Sequence, residues 1–525
     1  MTPISSKPIN DLYQAGILGG ASPDEHFGRS MAGLGDINGD GFADFIVGDA
    51  RDGLFPGDRR CFVYLGANSL PFSPDLVIQQ SEVDSSSGEI SDDRFGRWVT
   101  GGYDVNGDGM DDIVITSPSW FADTGKIYIY LSGQGSNLIP DVALAAFGSS
   151  WMTSFWYTDL RGRMIGDING DGYDELVCLV GGFTIDAGAY IYFGGASIDS
   201  IHDIGFQAEA SEEFDLGADL SSGSVNGDAY DDIIVGTYGG YGTGCVEGAL
   251  LFHGGQIVDS IPDVRFIVQD VGNPYGVCIP GDLNGNGHDD VVITGVYDFD
   301  GYEYPMCYIY LGGTEMDGTF DILFSGRLRW GKLDATGGDL NRDGYEDLII
   351  SEISSHPDVD EGRIAVYFGS AEMDTFPDIE VYRPGKFGET LAWLGDMNGD
   401  GWPEFAVGNP SGAGEIYIYT MGEVSGEGPA PDDFIVGEIR IIPNPTRGSV
   451  FIEIPNVKGN GISANLYDLN GRCIRTLGSQ IQQSELNYLF WDGADAFNRP
   501  APPGTYILVT RNDHHRATGR IVVNR

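Results

Sequence analysis

Apolar residues in this chain come in short runs, mostly β-branched, at 45–47, 113–115, 176–180, 233–235, 291–293, 348–350 and 405–407. Runs of that length and composition favour strand over helix. Each follows a polar nonapeptide of the form D-x-N-x-D-G-x-x-D, beginning at Asp36, Asp104, Asp167, Ser224, Asp282, Asp339 and Asp396, with spacings of 68, 63, 57, 58, 57 and 57 residues. After each run a loop leads to a second strand with a shared ending, as at 63–66, 129–131, 191–194, 251–254, 309–312, 366–369 and 416–419. A third segment opens with Pro-Asp or a variant, as in Pro74-Asp75, Pro140-Asp141, Pro262-Asp263 and Pro377-Asp378. With the stretch before the nonapeptide this makes four strands in a unit of about 60 residues, and four-stranded units repeated radially make a β-propeller. The predicted fold is all-β, with a seven-bladed propeller over 1–421. The Pro-Asp strand is missing after the seventh unit, while 9–17 stands alone before the first. That N-terminal strand is expected to complete the last blade from outside and close the ring.

Composition divides the chain. Residues 431–525 carry 10 basic and 9 acidic side chains of the 28 and 79 in the whole, so 1–430 carry 18 and 70, an imbalance of −52. Such a charge repels nucleic-acid phosphates and anionic lipid. The longest apolar run, at 142–147, is far short of the roughly 20 residues that span a bilayer. No transmembrane segment and no nucleic-acid partner are expected, and the N-terminus shows no signal-peptide core. A Gly-, Pro- and acid-rich linker is placed at 422–433. Beyond it, 434–525 show about seven short strands, including 438–442, 450–454, 464–469 and 506–510, with Asn470-Gly471 as a hairpin turn. That is the pattern of a small Ig-like β-sandwich. Six cysteines without a CxxC pair read as buried free thiols.

The nonapeptide carries the chemistry. Oxygen-bearing side chains at alternating positions of one turn suit a hard cation that takes six to eight oxygens. In the first copy Asp36, Asn38, Asp40 and Asp44 offer side chains and Phe42 its carbonyl. The equivalents are Asp104, Asn106, Asp108, Met110 and Asp112, then Asp167, Asn169, Asp171, Tyr173 and Glu175. The fourth copy, with Ser224 for the first Asp and Ala229 for the turn Gly, keeps Asn226, Asp228 and Asp232. Asp282, Asn284, Asn286, His288 and Asp290 follow, then Asp339, Asn341, Asp343, Tyr345 and Asp347, and finally Asp396, Asn398, Asp400, Trp402 and Glu404. Position 12, where an EF-hand needs a bidentate Glu, is Val47, Ile115, Cys178, Val235, Ile293, Ile350 or Val407, so the loop joins strands and not helices. Up to seven Ca²⁺ are expected, with the first, second and sixth copies strongest and the fourth weakest. An Asx-rich turn needs no ion by itself, but packing 19 carboxylates into such turns without counter-ions would destabilise the fold.

The repeat resembles the FG-GAP repeats of integrin α-subunit propellers, on the strength of these nonapeptides and of Phe27-Gly28, Phe95-Gly96, Trp330-Gly331 and Phe387-Gly388 nine residues before them. The dipeptide is absent or displaced in copies three to five. The resemblance covers 1 to about 421 and implies seven blades, calcium in inter-strand loops and protein binding. A second resemblance lies in Pro443-Asn444-Pro445, 467–472, Trp491-Asp492-Gly493, Gly504-Thr505-Tyr506 and the basic end at 520–525, which are similar to a type IX secretion sorting domain related to FlgD-type Ig modules. It implies export by the type IX secretion machinery.

The expected function is a non-catalytic, calcium-binding module for adhesion, secreted or displayed at the cell surface, with a protein or glycan ligand. Tyr238, Tyr241, Tyr297, Phe299, Tyr302 and Tyr304, assigned to loops joining second and third strands in blades four and five, are the ligand-contact residues proposed from sequence, against the alternative that they cover blade edges. The rival readings are a polysaccharide- or lipid-acting enzyme on a propeller scaffold and a structural surface-layer protein. For an enzyme the chain offers no HExxH and no GxSxG, and its near-miss phosphate loop at 326–332 is followed by Leu333.

Overall fold

The computed structural model describes residues 12–20, 27–49, 59–70, 73–79, 94–118, 125–133, 139–145, 159–181, 188–207, 215–238, 248–267, 271–299, 302–325, 331–354 and 361–422 of the larger part. In the C-terminal part it describes 440–442, 450–455, 463–468, 473–477, 486–491, 493–494, 499–512 and 515–524. The chain divides into two compact units, Met1–Gly428 and Pro429–Arg525.

The larger unit is a seven-bladed β-propeller. Blade one is the meander Ser30–Gly35, Asp44–Asp49, Arg60–Tyr64 and Leu76–Gln79, and six further four-stranded antiparallel sheets follow. The second strand of each blade holds the apolar run. In blades one, two and seven it is buried at every position, because neighbouring blades cover both of its faces.

The cores lie between blades. Leu34, Ile46 and Val63 of blade one pack with Val99, Ile115 and Tyr128 of blade two, and a separate cluster fills each of the next five interfaces. A seventh joins Met31, Phe45 and Val47 of blade one to Leu394, Ala406 and Ile418 of blade seven. An open array of seven blades would have six such interfaces, so this last cluster closes the ring.

The strand that completes blade seven comes from the N-terminus. Tyr13–Gly19 pairs antiparallel with Glu415–Thr420, from Tyr13 opposite Thr420 to Gly19 opposite Glu415. It lies two to four residues later than the stretch 9–17 chosen from sequence. It buries Ala15 and Leu18 against blades seven and one. From blade six, Arg383 Nε donates to the Tyr419 hydroxyl at 3.1 Å, and the same guanidinium donates to Gln14 Oε1.

Phe27, Phe95 and Phe387 of the Phe-Gly pairs are buried in these interfaces. Trp330 lies outside the described residues.

In the C-terminal unit, a sheet of Arg440–Ile442, Val450–Pro455 and Leu486–Trp491 and a sheet of four strands, Ser463–Asp468, Cys473–Leu477, Gly504–Asn512 and His515–Val523, share one core. It is built from Val450, Ile452 and Trp491 on one side and Leu466, Leu508 and Ile521 on the other. Cys61, Cys178, Cys278 and Cys307 are free thiols, the first two and the last buried. Cys245 and the Cys473 side chain lie outside the described residues.

Candidate metal centres

Every nonapeptide forms the corner between the first and second strands of its blade. In blade three, between Asp159–Ile165 and Glu175–Gly181, Asp167 Oδ1 accepts the N–H groups of Gly170 and Asp171 at 2.6 and 3.2 Å, and its Oδ2 accepts that of Gly172 at 2.8 Å. Asn169 Oδ1 accepts from the Asp171 amide and Asp171 Oδ1 from the Tyr173 amide. Asp36, Asp104 and Asp282 repeat all three bonds of position 1. Asp339 and Asp396 keep two each. Asn38, Asn106, Asn226, Asn341 and Asn398 each accept the amide of position 5. At position 5, the side-chain oxygens of Asp40, Asp108, Asp228, Asn286, Asp343 and Asp400 in turn accept the amide of position 7. Backbone donors thus hold the side chains of positions 1, 3 and 5 inside one turn.

Position 9 is of another kind. Asp44, Asp112, Asp290 and Asp347 are fully buried. Each accepts the amide of position 2 on one oxygen and, on the other, an amide at the end of the third strand, from Gly66, Ser132, Gly312 and Gly369 respectively. Loss of solvent outweighs these bonds and pushes each carboxyl up to about 7. Burial raises Glu175 to about 9 and Glu404 to about 8. A divalent cation beside such a group would favour its ionised form.

The third corner brings the acids closest together. One oxygen each of Asp167, Asp171 and Glu175 lie within 4.8 Å of one another, the one such group of three among the described residues. Oxygens at about 2.3 to 2.6 Å from a common Ca²⁺ can be no more than about 5.2 Å apart, so this donor set fits the ion. The extra methylene of Glu lets Oε2 hold the Ile168 amide at 2.8 Å while Oε1 meets Asn169 Nδ2 at 3.0 Å. The match to D-x-N-x-D-G-x-x-D places the first, second and sixth corners ahead, because the third and seventh end in Glu where the pattern has Asp. Glu404 makes the same two bonds in the seventh corner, to Met397 and Asn398, and in the fifth Asn284 Nδ2 reaches Asp290 Oδ1 at 3.5 Å.

The fourth corner has an internal substitute. His253 Nδ1 lies 3.1 Å from Asp232 Oδ1 and 3.3 Å from Asn226 Nδ2, where the corresponding residue in blades one, two, three, five and six is Leu65, Leu131, Phe193, Leu311 or Phe368. The bond to Asp232 raises the imidazole pKa. Protonation of His253 would bring a positive charge to the corner where Ser224 stands in place of the first Asp.

Three positions that the sequence reading left without a role of their own, or used only for a carbonyl, join the corners to one another. The amide of position 8 donates to the carbonyl of position 1 one blade earlier, from Asp111 to Asp36, Asp174 to Asp104, Asp231 to Asp167, Asp289 to Ser224, Glu346 to Asp282 and, across the closure, Ala43 to Asp396. Pro403 has no N–H to continue the series. Carboxylates at position 8 add a second bond, Asp111, Asp174 and Asp289 accepting the amides of Asp36, Asp104 and Ser224. The side chain at position 7 covers position 4 of the preceding blade: a Cβ on Gly107, Gly170, Gly227, Gly285 or Gly399 would stand 2.4 to 2.5 Å from Tyr173, Tyr230, His288, Tyr345 or Phe42. In the sixth corner Arg342 takes that position at φ 61° and lies over Trp402 at 5.4 Å. Gly at position 4 and a large residue at position 7, visible in the repeat, were the signal for this contact.

The aromatic patch differs from expectation. Tyr297 and Phe299 belong to the strand Asp290–Phe299, and Tyr302 and Tyr304 to Tyr302–Tyr310, paired Tyr297 to Tyr304 and Phe299 to Tyr302. They extend a hairpin and do not form a loop, in keeping with the strand preference of aromatic residues. Tyr238 ends the strand Asp232–Tyr238, and Tyr241 lies outside the described residues.

Against known proteins, the FG-GAP repeat family matches residues 95–130 and 387–419, which are parts of blades two and seven. Integrin alpha-4 of Xenopus laevis is 25% identical over 181 residues, 34% of this chain and 16% of that one. Integrin alpha-5 of the same organism is 29% identical over 196 residues, 35% and 17%. Integrin alpha-7 of Mus musculus is 36% identical over 108 residues, 20% and 8%. The matches thus span less than a fifth of those relatives. Among solved structures, the Vanderwaltozyma polyspora Nup133 β-propeller domain aligns with 72% of this chain and 91% of its own at 8% identity and a TM-score of 0.41, a likeness too loose to add to the strand order above.

Proposed function

We propose that the protein is a calcium-stabilised, non-catalytic binding module, secreted or held at a cell surface, whose propeller (1–421) takes a protein or glycan ligand. The observation that carries the calcium part is the third corner, where Asp167, Asp171 and Glu175 converge while burial pushes the Glu175 carboxyl up to about 9. At six corners the ligands are the side chains of positions 1, 3, 5 and 9 and the carbonyl of position 7, and the fourth keeps Asn226, Asp228 and Asp232. The likeness to integrin alpha chains and to FG-GAP repeats supports the binding role. At a dissociation constant of about 0.1 to 1 mM, usual for extracellular modules, each site adds about 0.4 to 1.4 kcal/mol in millimolar calcium.

Past a linker at 422–433, 434–525 is read as an Ig-like sorting domain for type IX export. Two features support the Ig-like part. Trp491 is buried in the core shared by the two sheets, and the Tyr506 hydroxyl donates to the Pro502 carbonyl at 2.7 Å, four residues upstream, as the tyrosine corner of such sandwiches does.

Calcium titration by isothermal calorimetry, with glycan and protein arrays run in calcium and in EDTA, tests the proposal. Saturable calcium binding that Glu175→Gln reduces by one site, and ligand capture that EDTA weakens, are expected. Absence of calcium binding at 5 mM or turnover of a polysaccharide would reject it.

A further inference from the structure

The end of the propeller that carries the corners also carries a row of exposed apolar tips. In an antiparallel meander the turn between strands one and two and the turn between strands three and four lie at the same end. The second of these turns presents Ile201 in blade three, Ile257 and Ile261 in blade four and Phe320 in blade five, exposed at 71%, 90%, 70% and 43%. These turns are held in place. Asp199 and Asp259 accept the amides of Ile201 and Ile261 at 2.7 and 2.8 Å, and Asp317 that of Thr319 at 2.8 Å. Asp203, Asp263 and Asp321 accept the amides of Phe193, His253 and Leu311 at the strand ends. The apolar side chains are therefore presented on braced turns, with Ile201, Ile261 and Phe320 each between two aspartates and Ile257 two residues before Asp259, and 197–203, 257–263 and 315–321 contain no Lys or Arg. Isolated exposed apolar residues are ordinary, whereas these four recur in the same turn of three consecutive blades.

We infer that this end docks a cationic, amphipathic protein segment, whose apolar face covers Ile201, Ile257, Ile261 and Phe320 while its Lys or Arg side chains pair with the flanking aspartates. Charge decides the occupant: residues 1–430 carry 70 acidic and 18 basic side chains, so an anionic bilayer or a nucleic acid is repelled where a basic segment is drawn in. The inference rests on the binding-module reading and gives it a surface and a partner chemistry. It does not depend on calcium at the corners.

The test uses the full chain and a fluorescein-labelled helical peptide of leucine and lysine, read by anisotropy, beside a lysine-only peptide of equal charge and vesicles of phosphatidylcholine and phosphatidylserine. The leucine–lysine peptide is expected to bind at least about tenfold more tightly than the lysine-only one. The variant Ile201→Ser/Ile261→Ser/Phe320→Ser should remove that tenfold without changing the melting temperature or the binding of the lysine-only peptide. Ile257→Ser, at the most exposed tip, should cost at least about threefold and serves if the triple variant fails to fold. Equal affinity for the two peptides, undiminished binding by the variants, or recruitment to vesicles that the variants abolish would overturn the inference. Any of these would leave the binding-module reading to be judged by the arrays.

Discussion

Gly170 shows what a single residue of the repeat does. Its φ is +75°, and a Cβ there would lie 2.4 Å from the Tyr230 ring, so Gly170→Ala should destabilise by about 1 to 2 kcal/mol. Gly195→Ala, with nothing within 4 Å, should be neutral, and equal melting temperatures for the two variants would contradict the inter-blade contact. The fourth corner makes a second case. Ser224→Asp with Ala229→Gly and His253→Leu restores the acidic side chain, the turn glycine and the usual apolar neighbour. It is expected to raise the calcium stoichiometry by one in calorimetry, and an unchanged stoichiometry would dismiss His253 as the substitute charge. Positions 1, 3 and 5 were legible in the sequence because their bonds close within the nonapeptide. The contacts that positions 4, 7 and 8 make between blades were not, because their partners lie in a neighbouring blade, about 60 residues away or across the ring closure.

Strands followed from local pattern more readily than their ends did. The apolar runs and shared endings located the inner three strands of every blade, since a buried β-branched run bounded by Gly and Asp has few alternatives. The aromatic stretch of blade five was misplaced as a loop because Tyr, Phe, Asp and Glu alternate there, and the polar residues suggested solvent where the backbone continues its ladder to Phe299 and Tyr302. The N-terminal strand was recognised by the strand missing from unit seven, while its register depended on Leu18 entering the core between blades seven and one. Deleting 1–19 should lower the melting temperature by at least about 5 °C, because it exposes the edge of Glu415–Thr420 and empties the Ala15 and Leu18 positions. An unchanged melt would mean that this strand does not tie the ring.

Across the whole molecule the buried acids set the pH dependence. Asp44, Asp112, Asp290 and Asp347 are raised to about 7, Glu404 to about 8 and Glu175 to about 9, against unfolded values near 4. Groups raised on folding contribute stability that is complete below about pH 4 and lost as pH rises through about 7 to 9. In EDTA the melting temperature should therefore fall between pH 5 and pH 8. Millimolar calcium should flatten that fall by favouring the ionised form, and a melting temperature that rises with pH in EDTA would contradict the burial. Blade number, strand class and the acidic corners could be read from residue order alone, because each arises from bonding within some ten residues or from a period that repeats along the chain. Ring closure, the stitching of position 8 to position 1 of the preceding blade, and the closest approach of carboxylates at the third corner emerged only on packing, because they depend on how residues distant in the chain meet and on the reach of one extra methylene in Glu175.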